Sequence, residues 1–145
     1  MPVPERNPFA YAIVRVVPRI ERGERFNAGV IVYCRQRDFL AARVALDEAR
    51  LAALDPGASA TEVRAHLDAI VRIAAGDRYA GPIAVLPASE RFGWLVAPSS
   101  TIIQTSEVHT GLTADPHRTL DTLFNELVSR IADAEARGHA CRRRR

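Results

Sequence analysis

Lysine is absent from this 145-residue chain, and all 20 basic residues are arginine. The absence excludes every chemistry that needs an ε-amine: Schiff-base catalysis, a P-loop lysine on phosphates, and the strand lysine of a protein kinase. An all-arginine basic set is the usage of a GC-rich genome and suggests a bacterial source. Cysteine is nearly absent too. Cys34 lies in an apolar run and reads as a small buried hydrophobe, while Cys141 sits near the C-terminus. A bridge between them would join a core strand to a chain end, and with neither a CxxC nor a Cys/His cluster no metal site is expected. No run approaches the ~20 apolar residues of a membrane span. Met1–Arg6 lacks the apolar core of a signal peptide. The expectation is a cytoplasmic protein with no membrane contact and no cofactor.

What is present is an ordinary globular balance of 48% hydrophobic and 26% charged residues, at a length suited to one domain. A domain over residues 1–138 with a disordered arginine-rich tail over 139–145 is the expected organisation. The formal charge of +3 is deceptive, because Arg142–Arg145 supply +4 and leave the rest of the chain at −1. A nucleic-acid binder would carry its basic surface on the folded body, so overall charge gives that class little support.

β-branched and apolar residues from Phe9 to Val17 predict a strand that Pro18 ends. Asn27–Arg35 predicts a second strand, apolar on both faces as a central strand would be. After the polar turn Gln36-Arg37-Asp38, Phe39–Leu46 predicts a third. Asp47 caps a short helix over 48–54, and Ser59 with Glu62 has the capping-box spacing for a helix whose Val63, Leu67, Ile70, Val71 and Ala74 share one face, with Gly76 at its end. Residues 77–90 read as an irregular connector with a short extended piece at Ile83–Leu86. Phe92–Ala97 and Thr101–Thr105 predict strands four and five, and Ser106–Ala114 a loop. Asp115-Pro116 then starts a long helix, reaching about Arg137, with Leu120, Leu123, Phe124, Leu127, Val128 and Ile131 on one stripe. The order β-β-β-α-α-β-β-α implies an α+β fold: a mainly antiparallel sheet of about five strands with helices packed on one face.

The segment between the first two strands is the leading candidate surface. It places Arg19, Glu21, Arg22, Glu24 and Arg25 within seven residues, with Gly23 suited to a positive φ and Asn27 able to bond local backbone. Gly29, inside a strand, points to a bulge or to close approach by other atoms. Arg15 shares a strand face with Tyr11, Ile13 and Val17, and Arg43 one with Phe39, Ala41 and Ala45. Each either runs its stem along the sheet to solvent or meets a partner, such as Glu24 or a bound anion. His109, in a polar segment with Glu107 and Asp115 near, has the partners of an acid–base pair but no serine or cysteine nucleophile beside it. No complete catalytic set appears.

The strings Pro18–Val30, Leu46-Asp47-Glu48-Ala49-Arg50-Leu51, Arg91–Pro98 and His109–Pro116 resemble the bacterial domain-of-unknown-function family numbered 3037, over about residues 9–131. The Arg-Gly-Glu…Asn-x-Gly string at 22–29 is the most specific of them. The resemblance implies an uncharacterised function and, through the company such proteins keep, a HipA-like kinase as partner.

Two classes of function remain in view. One is a non-enzymatic binding or regulatory module that presents Arg15, Arg22, Gly23, Glu24, Arg25, Asn27, Gly29, Arg43 and His109 to a protein partner. The other is an enzyme or binder acting on a phosphorylated small molecule or nucleic acid. Between Arg15 and Asp38 six arginines face three carboxylates, a local excess of +3.

Overall fold

The computed structural model describes residues 3–129. The first strand, β1 (Asn7–Val16), turns into β2 (Phe26–Cys34), which pairs with it antiparallel and with β3 (Phe39–Val44) on its other side. The tight polar link between β2 and β3 is a 3₁₀ turn over Arg35–Arg37, closed by Asp38 at φ 47°. Two short strands, β4 (Ile103–Thr105) and β5 (His109–Thr113), complete the five-stranded antiparallel sheet. Both pair with the free edge of β1. Between them Ser106 replaces a ladder bond: its hydroxyl accepts from the Ile13 N–H at 2.9 Å and donates to the Glu107 carbonyl at 2.9 Å.

The fold is α+β, as expected, but helices cover both faces of the sheet and not one. α1 (Glu48–Leu54), α2 (Ala60–Ala74) and α3 (Ala88–Leu95) pack with Val14, Val16, Phe26, Ala28, Ile31 and Leu40. α4 (Pro116–Leu127) lies on the other face, its Leu120 and Phe124, with Val128 just beyond, closing on Val30 and Val32. The physical reason is legible in β2. Both its rows are apolar, and each needs its own cover. A β-bulge at Ala28 makes the two rows fit: Gly29 pairs with Val14 but Asn27, not Ala28, pairs with Arg15. Phe26 and Ile31 are five residues apart, an odd separation that regular pleating would put on opposite faces. The extra residue brings both into the α2-side core and turns Asn27 to the α4 side.

Caps hold the helices where expected. The Asp47, Ser59 and Asp115 side chains accept from the N–H groups of Arg50, Glu62 and Arg118. Pro116 occupies the first turn of α4.

Three further expectations, each about a single segment, fail. Phe92–Ala97 is not a strand; most of it belongs to α3. Phe92 and Leu95 are buried while Gly93 and Trp94 are exposed, a spacing of three that a helix satisfies and an alternating strand does not. Ile83–Leu86 is not extended, because Pro82–Val85 forms a 3₁₀ turn. Ser106–Ala114 is not all loop. Its polar residues hide β5, an edge strand whose register comes from β1 backbone and not from an apolar row. The observed order is therefore β-β-β-α-α-α-β-β-α. The helix α4 ends at Leu127; its expected continuation toward Arg137, the 139–145 tail and Cys141 lie outside the described residues.

Arg91 fastens α3 to its neighbours. Its Nη1 donates to the Leu86 carbonyl at 2.6 Å and its Nη2 to the Ala74 carbonyl, at the end of α2, at 3.4 Å.

Candidate functional site

The segment joining β1 to β2 folds through a turn in which the Arg22 N–H bonds the Arg19 carbonyl, and the Gly23 N–H reaches the carbonyls of Arg19 and Ile20. Gly23 sits at φ 71° with open space around it, so glycine serves backbone shape at that position and not packing. Ile20 is 47% exposed at the tip. Much of the surrounding charge is internally answered: Arg22 pairs with Glu24, and Arg19 approaches Asp55 at 3.8 Å.

The nine residues picked out by sequence divide in three. Asn27 and Gly29 are structural. Asn27 Nδ2 donates to the Leu127 carbonyl at 2.9 Å and so closes the C-terminal end of α4 against β2. Gly29 allows β2 and β3 to meet: a Cβ there would lie 2.8 Å from Val44 Cγ1 and 2.9 Å from the Arg43 carbonyl oxygen. Arg43 also belongs to the framework. Its guanidinium stacks 4.4 Å from the Phe124 ring centroid and its Nη1 bonds Asp121 at 2.7 Å, so its stem runs out along α4 to solvent. Arg15 and Arg43 are not on neighbouring strands, since β2 runs between β1 and β3, and they do not converge on Glu24. Gly23, Arg22 and Glu24 make up the turn itself.

Arg15, Arg25 and His109 form the third group, and they meet at a residue that received less weight from sequence, Glu107. His109 lies opposite Tyr11 in the β1–β5 pairing with ring centroids 5.2 Å apart, and its Nε2 stands 3.8 Å from Glu107 Oε1. Arg15 is half-buried on the same face of β1 as Tyr11, and Arg25 leads into β2. The Glu107 carboxyl is held below its ordinary value of 4.5. The chief cause is a hydrogen bond from its own backbone; the positive fields of His109, Arg15 and Arg25 add to it, and desolvation opposes it. Among the described residues neither Arg15 nor Arg25 has a carboxylate within 4.0 Å, in contrast to Arg19, Arg22 and Arg43. Sequence already offered Glu107 or Asp115 as the partner of His109, and the signal that favours Glu107 is its place two residues before a strand histidine: side chains at i and i+2 of an extended chain share a side. The polar segment was read as a loop, and the alternation was lost with it.

Chemically this surface is an open, cation-rich patch around one carboxylate. It offers ion-pair and hydrogen-bond donors to an anionic group, and the serine beside the His109–Glu107 pair, Ser106, has its hydroxyl engaged by the Ile13 N–H and the Glu107 carbonyl. Among the described residues no cluster of three His, Cys, Asp or Glu has the arrangement of a metal site, and no helix is long and apolar enough to cross a membrane.

Fold and surface together define a small α+β protein built on a five-stranded antiparallel sheet held between helices, with Arg15, His109 and Glu107 on the α4-side face beside β1. The chain belongs to DUF3037, a family described as protein of unknown function, whose model matches residues 11–128. No curated protein and no solved structure matches it at a significant level.

Proposed function

We propose that the protein is a non-enzymatic binding module that engages an acidic protein partner through the β1–β2 hairpin and the sheet face beside it. The observation behind this reading is the contrast among the arginines. Arg19, Arg22 and Arg43 are answered by carboxylates, whereas Arg15 and Arg25 meet only the more distant field of Glu107. Two under-neutralised guanidiniums on a hairpin whose tip exposes Ile20 give a cationic surface and an apolar anchor on one element. Such an arrangement steers an acidic surface and then buries one side chain. The partner class implied by the family resemblance, a HipA-like kinase, is the first to try.

The test is binding to a purified HipA-like kinase from the same genome, measured with wild-type protein and with the Arg15→Glu, Arg25→Glu double variant. Charge reversal at the rim should lower the association rate by about tenfold or more and flatten its salt dependence. The melting temperature should stay close to that of wild type. A partner bound equally well by both proteins sinks the reading.

A second reading, a phosphorylated small molecule or nucleic acid, is favoured by one observation: two guanidiniums and an imidazole act on a single point. Glu107 at that point counts against it. The two are separated by salt titration, since nucleic-acid affinity falls by about 0.7–0.9 log units per log unit of salt for each phosphate neutralised.

A further inference from the structure

The opposite face of the sheet carries a feature that the hairpin reading leaves unused. α2, α3, the loop over 97–101 and β4 enclose a groove of about 370 Å³. Small-molecule sites span roughly 300–1,000 Å³. Its floor is made by Ile70, Ile73, Leu95 and Ile103. Trp94 forms one wall and is 52% exposed, although α3 buries Phe92 and Leu95. Leaving much of an indole in water costs a protein the burial that an aromatic side chain normally supplies, unless something else covers it.

The polar groups around this floor point to a kind of ligand. Among the described residues, His66, Trp94 and Thr105 line the groove, and their side chains make no hydrogen bond within the protein. Thr105 pairs with Val14 and so faces the α2 side, as the groove requires. Ser99 and Thr101 are already engaged, with each other at 3.0 Å and with the Ile103 carbonyl at 2.7 Å. Among the described residues no carboxylate and no guanidinium lines the groove, in a chain of which 26% is charged. An anion would lose its hydration there and find no counter-charge in return. That excludes from this groove the phosphorylated ligands considered for the hairpin.

We propose that the groove between α2, α3 and β4 binds a small uncharged aromatic molecule carrying one hydrogen-bonding group. The ring packs on Trp94 and the apolar floor, and the polar group is met by the Thr105 hydroxyl. The proposal is independent of the hairpin reading, since it uses other residues on the other face of the sheet.

Trp94 is the single tryptophan of the chain, so its fluorescence reports occupancy directly. The probe is 4-fluorophenol, followed by tryptophan fluorescence and by fluorine NMR, with 4-fluorobenzoate as the charged control. Saturable quenching with a dissociation constant on the order of millimolar or tighter is expected for the phenol. The carboxylate should bind at least about fivefold more weakly. Ala69→Phe, at an exposed position of α2 that lines the groove, should abolish saturation by filling the space. Thr105→Val should weaken binding by about two- to tenfold, the worth of one hydrogen bond. Linear quenching that is the same in wild type and Ala69→Phe overturns the proposal, as does equal binding of phenol and benzoate. Should Ala69→Phe lower the melting temperature, Thr105→Val decides alone, and an unchanged affinity there counts against the site.

Discussion

The two faces of the sheet solve different problems with the same strands. On the α2 side three helices cover a broad apolar core, and the groove left open among them is free of charged side chains. On the α4 side one helix covers a narrow stripe, and what it leaves open on β1 and its neighbours is arginine, histidine and glutamate. Number of helices sets the difference. A single helix covers a strip about 10 Å wide, roughly two strands. The strands beyond it must face water with polar side chains. Where binding surfaces arise on this fold, their chemistry therefore follows from how much of each face the helices reach.

The largest effects should come from the two cores themselves. Phe124→Ala on the α4 side should cost about 3–5 kcal/mol, and Leu67→Ala on the α2 side about 2–5 kcal/mol, by urea denaturation. If the sheet insulates the faces, the double variant should lose the sum to within about 0.5 kcal/mol. A larger coupling would show that the sheet transmits packing changes and that the faces are not independent. Gly29→Ala attacks the bulge that assigns side chains to faces. A Cβ there meets Val44 and the Arg43 carbonyl at distances that force backbone to move, so a loss of about 1–3 kcal/mol is expected. Asn27→Ala removes the bond to the Leu127 carbonyl and should cost about 1 kcal/mol, with faster amide exchange confined to the last turn of α4.

The smallest effect is electrostatic. Glu107 titrates below its ordinary value in the folded protein. Its contribution to stability is therefore present above that ordinary value and is lost as pH falls through the folded one. Arg25→Ala should move the Glu107 midpoint upward in an NMR titration, and Arg43→Ala, on the far side of β2, should leave it in place. Equal shifts from both would mean that no local cluster exists.

Much of this fold was legible in the sequence because its signals were local. Caps at Asp47, Ser59 and Asp115 mark helix starts by hydrogen bonds made within three residues. The doubly apolar β2 announces a central strand. Gly29, next to the bulge at Ala28, marks a close approach, because only a missing side chain lets β3 come in. The failures share a cause in that their signals were not local. β5 is a strand only because β1 offers it an edge, and α3 looked extended because the apolar run Trp94-Leu95-Val96-Ala97 disguises a period of three. The surface suffered in the same way. Asn27 and Arg43 stood out as polar residues on apolar strands, yet each is spent on α4, about 80–100 positions away. Glu107 gains its setting from Arg15, Arg25 and His109, which three separate segments supply.

Arg91 gives the missing lysine another meaning. Its guanidinium holds the carbonyls of Leu86 and Ala74 at once, with a separate nitrogen of one rigid planar fork for each, where an ammonium would bring both bonds to a single atom. At the hairpin, Arg22 and Arg25 are exposed and supply charge, which an ammonium would supply as well. The chain's one-letter basic alphabet thus has interchangeable and irreplaceable uses. A version recoded with lysine at every exposed arginine would keep its charge map, while the same change at residue 91 would loosen α3 and with it the wall that Trp94 lends to the groove.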